Sequence, residues 1–329
     1  MIYNILFYSF ITFIIFFLIS KISYKLNLVD IPNKRKNHLK PTAYTGGIGI
    51  SLAYIISIIL FDFSTKQLGL ILSISFLIAM VGFIDDKYQL NIGGKLSLQI
   101  IPIIYLILLE NFSLNNIGEY NYFILELGTF QIPFSLLCVL FLINAFNYFD
   151  GLDGTLGFTT ISVLGILYYL SNDQSIRFFI IITLIPIIIF LFFNFSIFKI
   201  PKIFLGDSGS LLLGFIISFF LIYLANQNFV HPILLAWSVA IFVYEFLSIN
   251  LLRLKNKKNL FRPGHDHLHH ILLKKIKSIY FTSLIIAMTN FFIFFIGYLT
   301  YEFLNSLISL LMYLFCFIIF YSIRNKYLI

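Results

Sequence analysis

The sequence predicts an all-α polytopic membrane protein of about eleven transmembrane helices, and three observations carry that prediction. Of its 329 residues 60% are apolar, 19% aromatic and only 11% charged, less than half the roughly 25% charge of a soluble domain. Apolar runs of bilayer-crossing length recur from end to end, each able to span about 30 Å of hydrocarbon as a helix. The basic residues gather in alternate loops, as they do on one face of a membrane. A soluble globule and a disordered chain are both excluded. The formal charge of +8 is then a topology signal and no sign of nucleic acid.

The candidate spans lie near 2–20, 46–62, 67–84, 97–110, 133–149, 155–171, 177–195, 208–225, 231–251, 279–299 and 303–322. The first run has no basic residue ahead of it and no small-residue cleavage site behind it, so it reads as a retained helix. With the N-terminus outside, the inward segments are 21–45, 85–96, 150–154, 196–207, 252–278 and the tail, and they hold 20 of the 22 Lys and Arg. Lys66 and Arg177 fall outside. The expected orientation is therefore N-terminus outside, C-terminus cytoplasmic. Neither an internal repeat nor a low-complexity linker divides the chain, so residues 1–329 read as one integral-membrane domain. Cys138 and Cys316 lie singly within apolar runs and read as small hydrophobes. The outer loop 111–132 alternates polar and apolar residues, the pattern of a short hairpin.

Five polar islands fall on the inward face. DIPNKRKNHLKPTAYTGGIGI (30–50) brings basic residues to a glycine pair entering a helix, which either approaches an anion through backbone N–H groups or packs closely on a neighbour. GFIDDKYQLNIGGK (82–95) sets Asp85 beside Asp86 at a span end. Helical neighbours diverge by about 100°, so the two carboxylates divide their roles or cap the helix facing water. In NAFNYFDGLDGTLG (144–157), Asn144, Asn147, Asp150 and Asp153 recur every three residues, an oxygen-rich set suited to a hard cation or a polar ligand. In KIFLGDSGSLLLGF (202–215), Asp207 precedes an apolar helix. There Asp207 or Ser208 is an N-cap, or Asp207 holds a metal while the helix N-terminus attracts phosphate. RPGHDHLHHIL (262–272) presents His265, His267, His269 and His270 with Asp266 and Arg262, readable as a solvated basic loop, a zinc site or donors to phosphate. Glu245, inside the ninth run, is an intramembrane acid, functional by default or an answer to Arg253 or Lys255.

Taken in order, RKNH followed by GG (35–47), DDKY (85–88), NAFNYFDGLDG (144–154), KIFLGDSGS (202–210) and HLHH (267–270) resemble the polyprenyl-phosphate N-acetylhexosamine-1-phosphate transferases of the glycosyltransferase family 4 superfamily. The match spans residues 30 to 270 and is specific as a set. The resemblance implies that a cytoplasmic UDP-N-acetyl sugar, by default UDP-GlcNAc, gives its sugar-1-phosphate to undecaprenyl or another polyprenyl phosphate, releasing UMP. It further implies Mg2+, with Mn2+ as a substitute, held by Asp207 and Asn147, and a catalytic set of Asp85, Asp86 and Asp207. Lys40, Asn144, Asp150, Asp153 and Asn194 become substrate-binding positions. Phe204 becomes the aromatic that stacks on uracil, and His267, His269 and His270 the inward histidine motif. The resemblance also implies the cell inner membrane, with the N-terminus periplasmic, and is compatible with a homodimer. Two motifs depart from the family pattern: Pro-Thr-Pro-Arg before the glycines reads Pro41-Thr42-Ala43-Tyr44, and the Asp three residues before the histidines is replaced by Gly264, with Asp266 next to them instead.

Physics constrains such a reaction. A phosphomonoester is mostly dianionic at neutral pH because its second pKa is near 6, so a general base finds little proton to remove. Opposing the repulsion between that dianion and a diphosphate is the larger task. Rivals within the class are the muramoyl-pentapeptide branch and other UDP-N-acetyl sugars. A secondary transporter, from another class, puts its ionisable groups near the bilayer midplane on repeated, broken helices.

Overall fold

The computed structural model describes residues 2–32, 40–257 and 266–328. Its axis is α8 (Gly206–Asn226), whose apolar stretch is wholly buried. After Asp207 this helix carries no charge, so it has no polar face to show to water and is enclosed by the rest. Packed against it are α3 (Lys66–Tyr88), α5 (Gln131–Phe149) and α2 (Gly46–Leu60). Glycines set the closeness of these contacts: a Cβ on Gly214 would lie 2.7 Å from the Ile143 backbone of α5. One on Gly47 would lie 2.0 Å from the backbone nitrogen of Gly209.

Around this centre stand α1 (Ile2–Lys25), α4 (Ile92–Ile104), α6 (Thr155–Leu170), α7 (Gln174–Asn194), α12 (Ile279–Phe303) and α13 (Ser306–Leu328). Helix α4 runs on as a π-helical turn, Tyr105–Leu109, just after Pro102, whose ring removes one ladder donor. The bent pair α9 (Pro232–Ser238) and α10 (Ala240–Lys255) turns by 70°, and the short α11 (Leu268–Ile276) precedes α12. Phe315, Leu314 and Ile318 of α13 are exposed, the composition of a lipid-facing side. The 111–132 loop forms the expected hairpin, β3 (Asn116–Tyr120) against β4 (Phe123–Glu126). A smaller antiparallel pair, β1 (Val29–Asp30) and β2 (Thr42–Ala43), bridges through Ala43 to Ile203.

Each of the eleven expected runs is helical, yet eight helices have crossing length, and nine if the bent pair counts as one span. The two short ones are α2, with 15 residues, and α6, with 16, about 22 to 24 Å at 1.5 Å per residue. Both begin where their runs were expected to begin and stop short at the far end, α2 at Leu60 and α6 at Leu170.

Candidate active site

The ends of α3 and α8 meet at a glycine. A Cβ on Gly82 would lie 2.4 Å from the Asp207 backbone, so the last turn of α3 rests on the first turn of α8. Asp85 and Asp86, one turn beyond Gly82, are thereby delivered to Asp207. The two carboxylates diverge as helical neighbours must. Asp86 accepts the backbone N–H of Asp207 at 3.0 Å and of Ser208 at 3.3 Å, capping α8 from another helix. Gly206, at φ +73°, leaves room for this, since a Cβ there would lie 2.7 Å from Asp86 Oδ2. Asp85 turns the other way, accepting Leu90 N–H at 2.8 Å and pairing with Lys95 Nζ at 2.7 Å.

Lys95 completes the cluster, with its ammonium 2.5 Å from Asp207 Oδ2. On the opposite oxygen, Asp207 Oδ1 accepts Asn147 Nδ2 at 3.0 Å, and that amide also donates to Ser210 Oγ at 2.8 Å. One cation thus already lies between two carboxylates. The donor set fits a hard divalent ion of the Mg2+ type, which takes one or two carboxylates and fills its shell with water and phosphate oxygens. Among the described residues no three His, Cys, Asp or Glu form a preformed metal cage.

Asp85, Asp86 and Asp207 open on a cavity of about 1190 Å³, lined also by Asp150, Asp153, Asn194, Phe204 and His270, with Lys95, Asn147, His267 and His269 outside its lining. Asn194 staples its wall: Oδ1 accepts Gly154 N–H at 2.7 Å, while Nδ2 donates to Ile203 O at 2.9 Å and reaches Asp153 at 3.4 Å. Lys202 pairs with Asp153 at 2.5 Å and lies 5.1 Å over the Phe204 ring. Burial, and then the nearby carboxylates of Asp207, Asp86 and Asp153, push Asp150 well above the usual carboxylate range. His267 is pulled down to about 4, mainly by burial, so its imidazole is neutral at pH 7. It meets Tyr148 edge-on at 5.2 Å and stacks on His269 at 5.5 Å.

Several expectations change. The Gly46 and Gly47 N–H groups donate to Phe204 O at 3.0 Å and Leu205 O at 2.9 Å, so the glycine pair serves close packing and no anion. The first N–H groups of α8 are likewise taken by Asp86, not left open for phosphate. The 144–153 series does not share one helical face, because α5 ends at Phe149 and Gly154 turns at φ +74°. Asn144 donates to Leu140 O of its own helix at 2.7 Å and does not line the cavity. Nor does Lys40, which is exposed beside β2. Glu245 pairs with Arg324 at 2.9 Å, while Arg253 answers Asp266 at 2.8 Å. The RKNH motif, Arg262, Gly264 and His265 lie outside the described residues.

Sequence reasoning missed Lys95 and Lys202. Both sit inside the polar islands, where their charge reads as topology. The usable signal was their place within acid-rich islands, where a nearby cation lowers the cost of clustered carboxylates.

The family model described as glycosyl transferase family 4 matches residues 68–225. A Yersinia pestis undecaprenyl-phosphate alpha-N-acetylglucosaminyl 1-phosphate transferase is 28% identical over 265 residues, covering 78% of this chain and 73% of its own. The Escherichia coli K12 protein of the same name is 26% identical over 271 residues, with coverage of 80% and 74%. A Bacillus subtilis protein named as a probable undecaprenyl-phosphate N-acetylglucosaminyl 1-phosphate transferase is 31% identical over 277 residues, with coverage of 78% and 72%. With that identity sustained over such a length, and with the acidic cluster inside the matched segment, the chain belongs to the undecaprenyl-phosphate N-acetylglucosaminyl 1-phosphate transferases of glycosyl transferase family 4.

Proposed function

We propose that the chain transfers N-acetylglucosamine 1-phosphate from UDP-GlcNAc to undecaprenyl phosphate, giving undecaprenyl-diphosphate-GlcNAc and UMP. One observation carries the reading: Asp85, Lys95, Asn147 and Asp207, from four separated stretches, join in one hydrogen-bonded cluster on a cavity large enough for a sugar nucleotide. In this reading all eleven runs cross or enter the inner membrane, and the cluster faces the cytoplasm with the 20 inward basic residues.

Asp207, joined by Asp85, would hold Mg2+, or Mn2+ in its place; Asn147, expected as the second ligand, donates its amide N–H to Asp207 Oδ1 and Ser210 and so supports Asp207 instead. The ion supplies charge neutralisation to phosphate oxygens when bound. Asp86 fixes the first turn of α8, and through it the aim of Asp207. Lys95, paired with Asp85 and Asp207, and Lys202, in the cavity lining, keep positive charge beside the carboxylates for the phosphates of donor and acceptor. Phe204 offers a ring face to the uracil. Because the acceptor phosphate is already dianionic, these groups orient and neutralise more than they remove protons.

The test is UMP release by purified protein given undecaprenyl phosphate, Mg2+ and a panel of UDP-sugars. Turnover with UDP-GlcNAc, lost in Asp207→Ala, supports the reading. Full activity of Asp207→Ala, or turnover with only a muramoyl-pentapeptide donor, overturns it.

A further inference from the structure

A second group of buried charges lies beside the histidine helix, outside the acidic cluster. Glu245 of α10 is 1% exposed and Arg324 of α13 is 3% exposed. Arg324 Nη2 donates to Glu245 Oε1 at 2.9 Å and to the backbone oxygen of Asp266 at 2.6 Å. The same Glu245 oxygen accepts the N–H of Leu268, the first residue of α11, at 2.7 Å. Arg253 holds the Asp266 carboxylate with two bonds, 3.0 and 2.8 Å, and lies 6.0 Å over Tyr148, the ring that meets His267.

A buried ion pair costs several kcal/mol of desolvation per ion, and here its hydrogen bonds converge on a single object, the start of α11. From that start His269 reaches the backbone of Gly151, where a Cβ would lie 2.0 Å from Nε2. His270 lines the cavity. The C-terminal helix is otherwise mostly lipid-facing. Retaining an arginine that turns inward beneath a catalytic-face motif needs a reason beyond span length.

We propose that Arg324, with Glu245, is a positioning residue: it ties the C-terminal helix to the N-terminus of α11 and so sets the histidine motif against the sugar-nucleotide side of the cavity. The inference rests on the reading that these histidines serve the transferase site. Under that reading, in which the histidines contact the sugar nucleotide, loss of the tie is felt at the donor.

The full-length enzyme is assayed in detergent as wild type, Arg324→Met, Arg324→Lys, Glu245→Gln, the Arg324→Met/Glu245→Gln double variant and His270→Ala. Arg324→Met should raise the KM for UDP-GlcNAc about tenfold, with the KM for undecaprenyl phosphate unchanged. Arg324→Lys should recover much of the loss. The double variant should be no worse than Arg324→Met, because both substitutions break one coupling. Equal changes in both KM values and kcat, or additive effects in the double variant, reduce Arg324 to a structural role and overturn the proposal. If Arg324→Met is not monodisperse, Glu245→Gln and Arg324→Lys decide on the same KM split. His270→Ala separates the two readings. An unchanged donor KM there removes the histidines from the site, whereas a raised one beside a normal Arg324→Met removes the tie alone.

Discussion

At the scale of single residues, charge that reads as topology in the sequence turns out to serve the site. Lys95 counts toward an inward loop, yet it neutralises Asp85 and Asp207, a partner 112 residues away that no local spacing reveals. Asp207 and Asn147 were legible because their motifs are dense in polar groups. The ammonium between two acids should be needed for phosphate alignment, so Lys95→Met should cut kcat by about 100-fold, the usual loss of one preorganised donor. Monodisperse, folded Lys95→Met with kcat near wild type would remove the lysine from the chemistry. Asp86 differs, since both its oxygens accept N–H groups of α8. Asp86→Asn keeps one acceptor and should retain about tenfold more turnover than Asp86→Ala, whose lost cap costs about 1 kcal/mol. Equal loss in both, read in kcat and thermal midpoint, would mean that the charge itself is the active feature.

Helix by helix, the apolar runs located every helix of the bundle but the short α11, because about twenty apolar residues between charges leave the backbone little alternative in lipid. The depth of contact was not legible. GG at 46–47 is compatible with an anion cradle and with close packing, and only the opposing backbone decides: Gly47 lies against Gly209. The two short helices, α2 and α6, start at the expected residue and lose length only at the end away from their polar motifs. Gly47→Ala must push α2 off α8, because its Cβ would meet backbone rather than a yielding side chain. The overpacking should cost about 1–3 kcal/mol and lower turnover with it, as α8 carries Asp207. Gly69, in α3, has nothing within 4 Å of a built Cβ, so Gly69→Ala should gain up to about 1 kcal/mol of helix propensity. Thermal midpoints of the two variants in one detergent check both signs, and a stable Gly47→Ala would contradict the packing.

For the molecule as a whole, the structure separates two ends. Asp85, Asp86, Asp150, Asp153, Asp207 and His270 share the cavity at one, while Lys66 pairs with Glu110 at 2.8 Å at the other, a helix length away along α3. On the proposed reading, a donor from the cytoplasm and an acceptor phosphate at the inner leaflet make one demand on rate as well as on place. If the acceptor enters as a dianion, turnover should rise through pH 6 and stay flat above pH 7, the phosphate's own second ionisation being near 6. A log rate climbing with unit slope to pH 9 would instead report a base being unmasked. Neutral His267, with its pKa held near 4, adds no limb in that window.

Which end faces inward is a matter of charge count. By sequence, 20 of the 22 Lys and Arg fall in the segments read as inward, and moving such loops across the bilayer is what the insertion machinery resists. With Cys138 and Cys316 replaced by serine, a single cysteine in place of Asn172, in the turn between α6 and α7, should react with a membrane-impermeant maleimide in right-side-out vesicles. One in place of Lys257, just past α10, should react only after permeabilisation. Both positions are exposed, so burial cannot mimic protection. The reverse pattern would put the cavity outside, away from any cytoplasmic nucleotide, and the charge argument and the assignment of the donor would fail together.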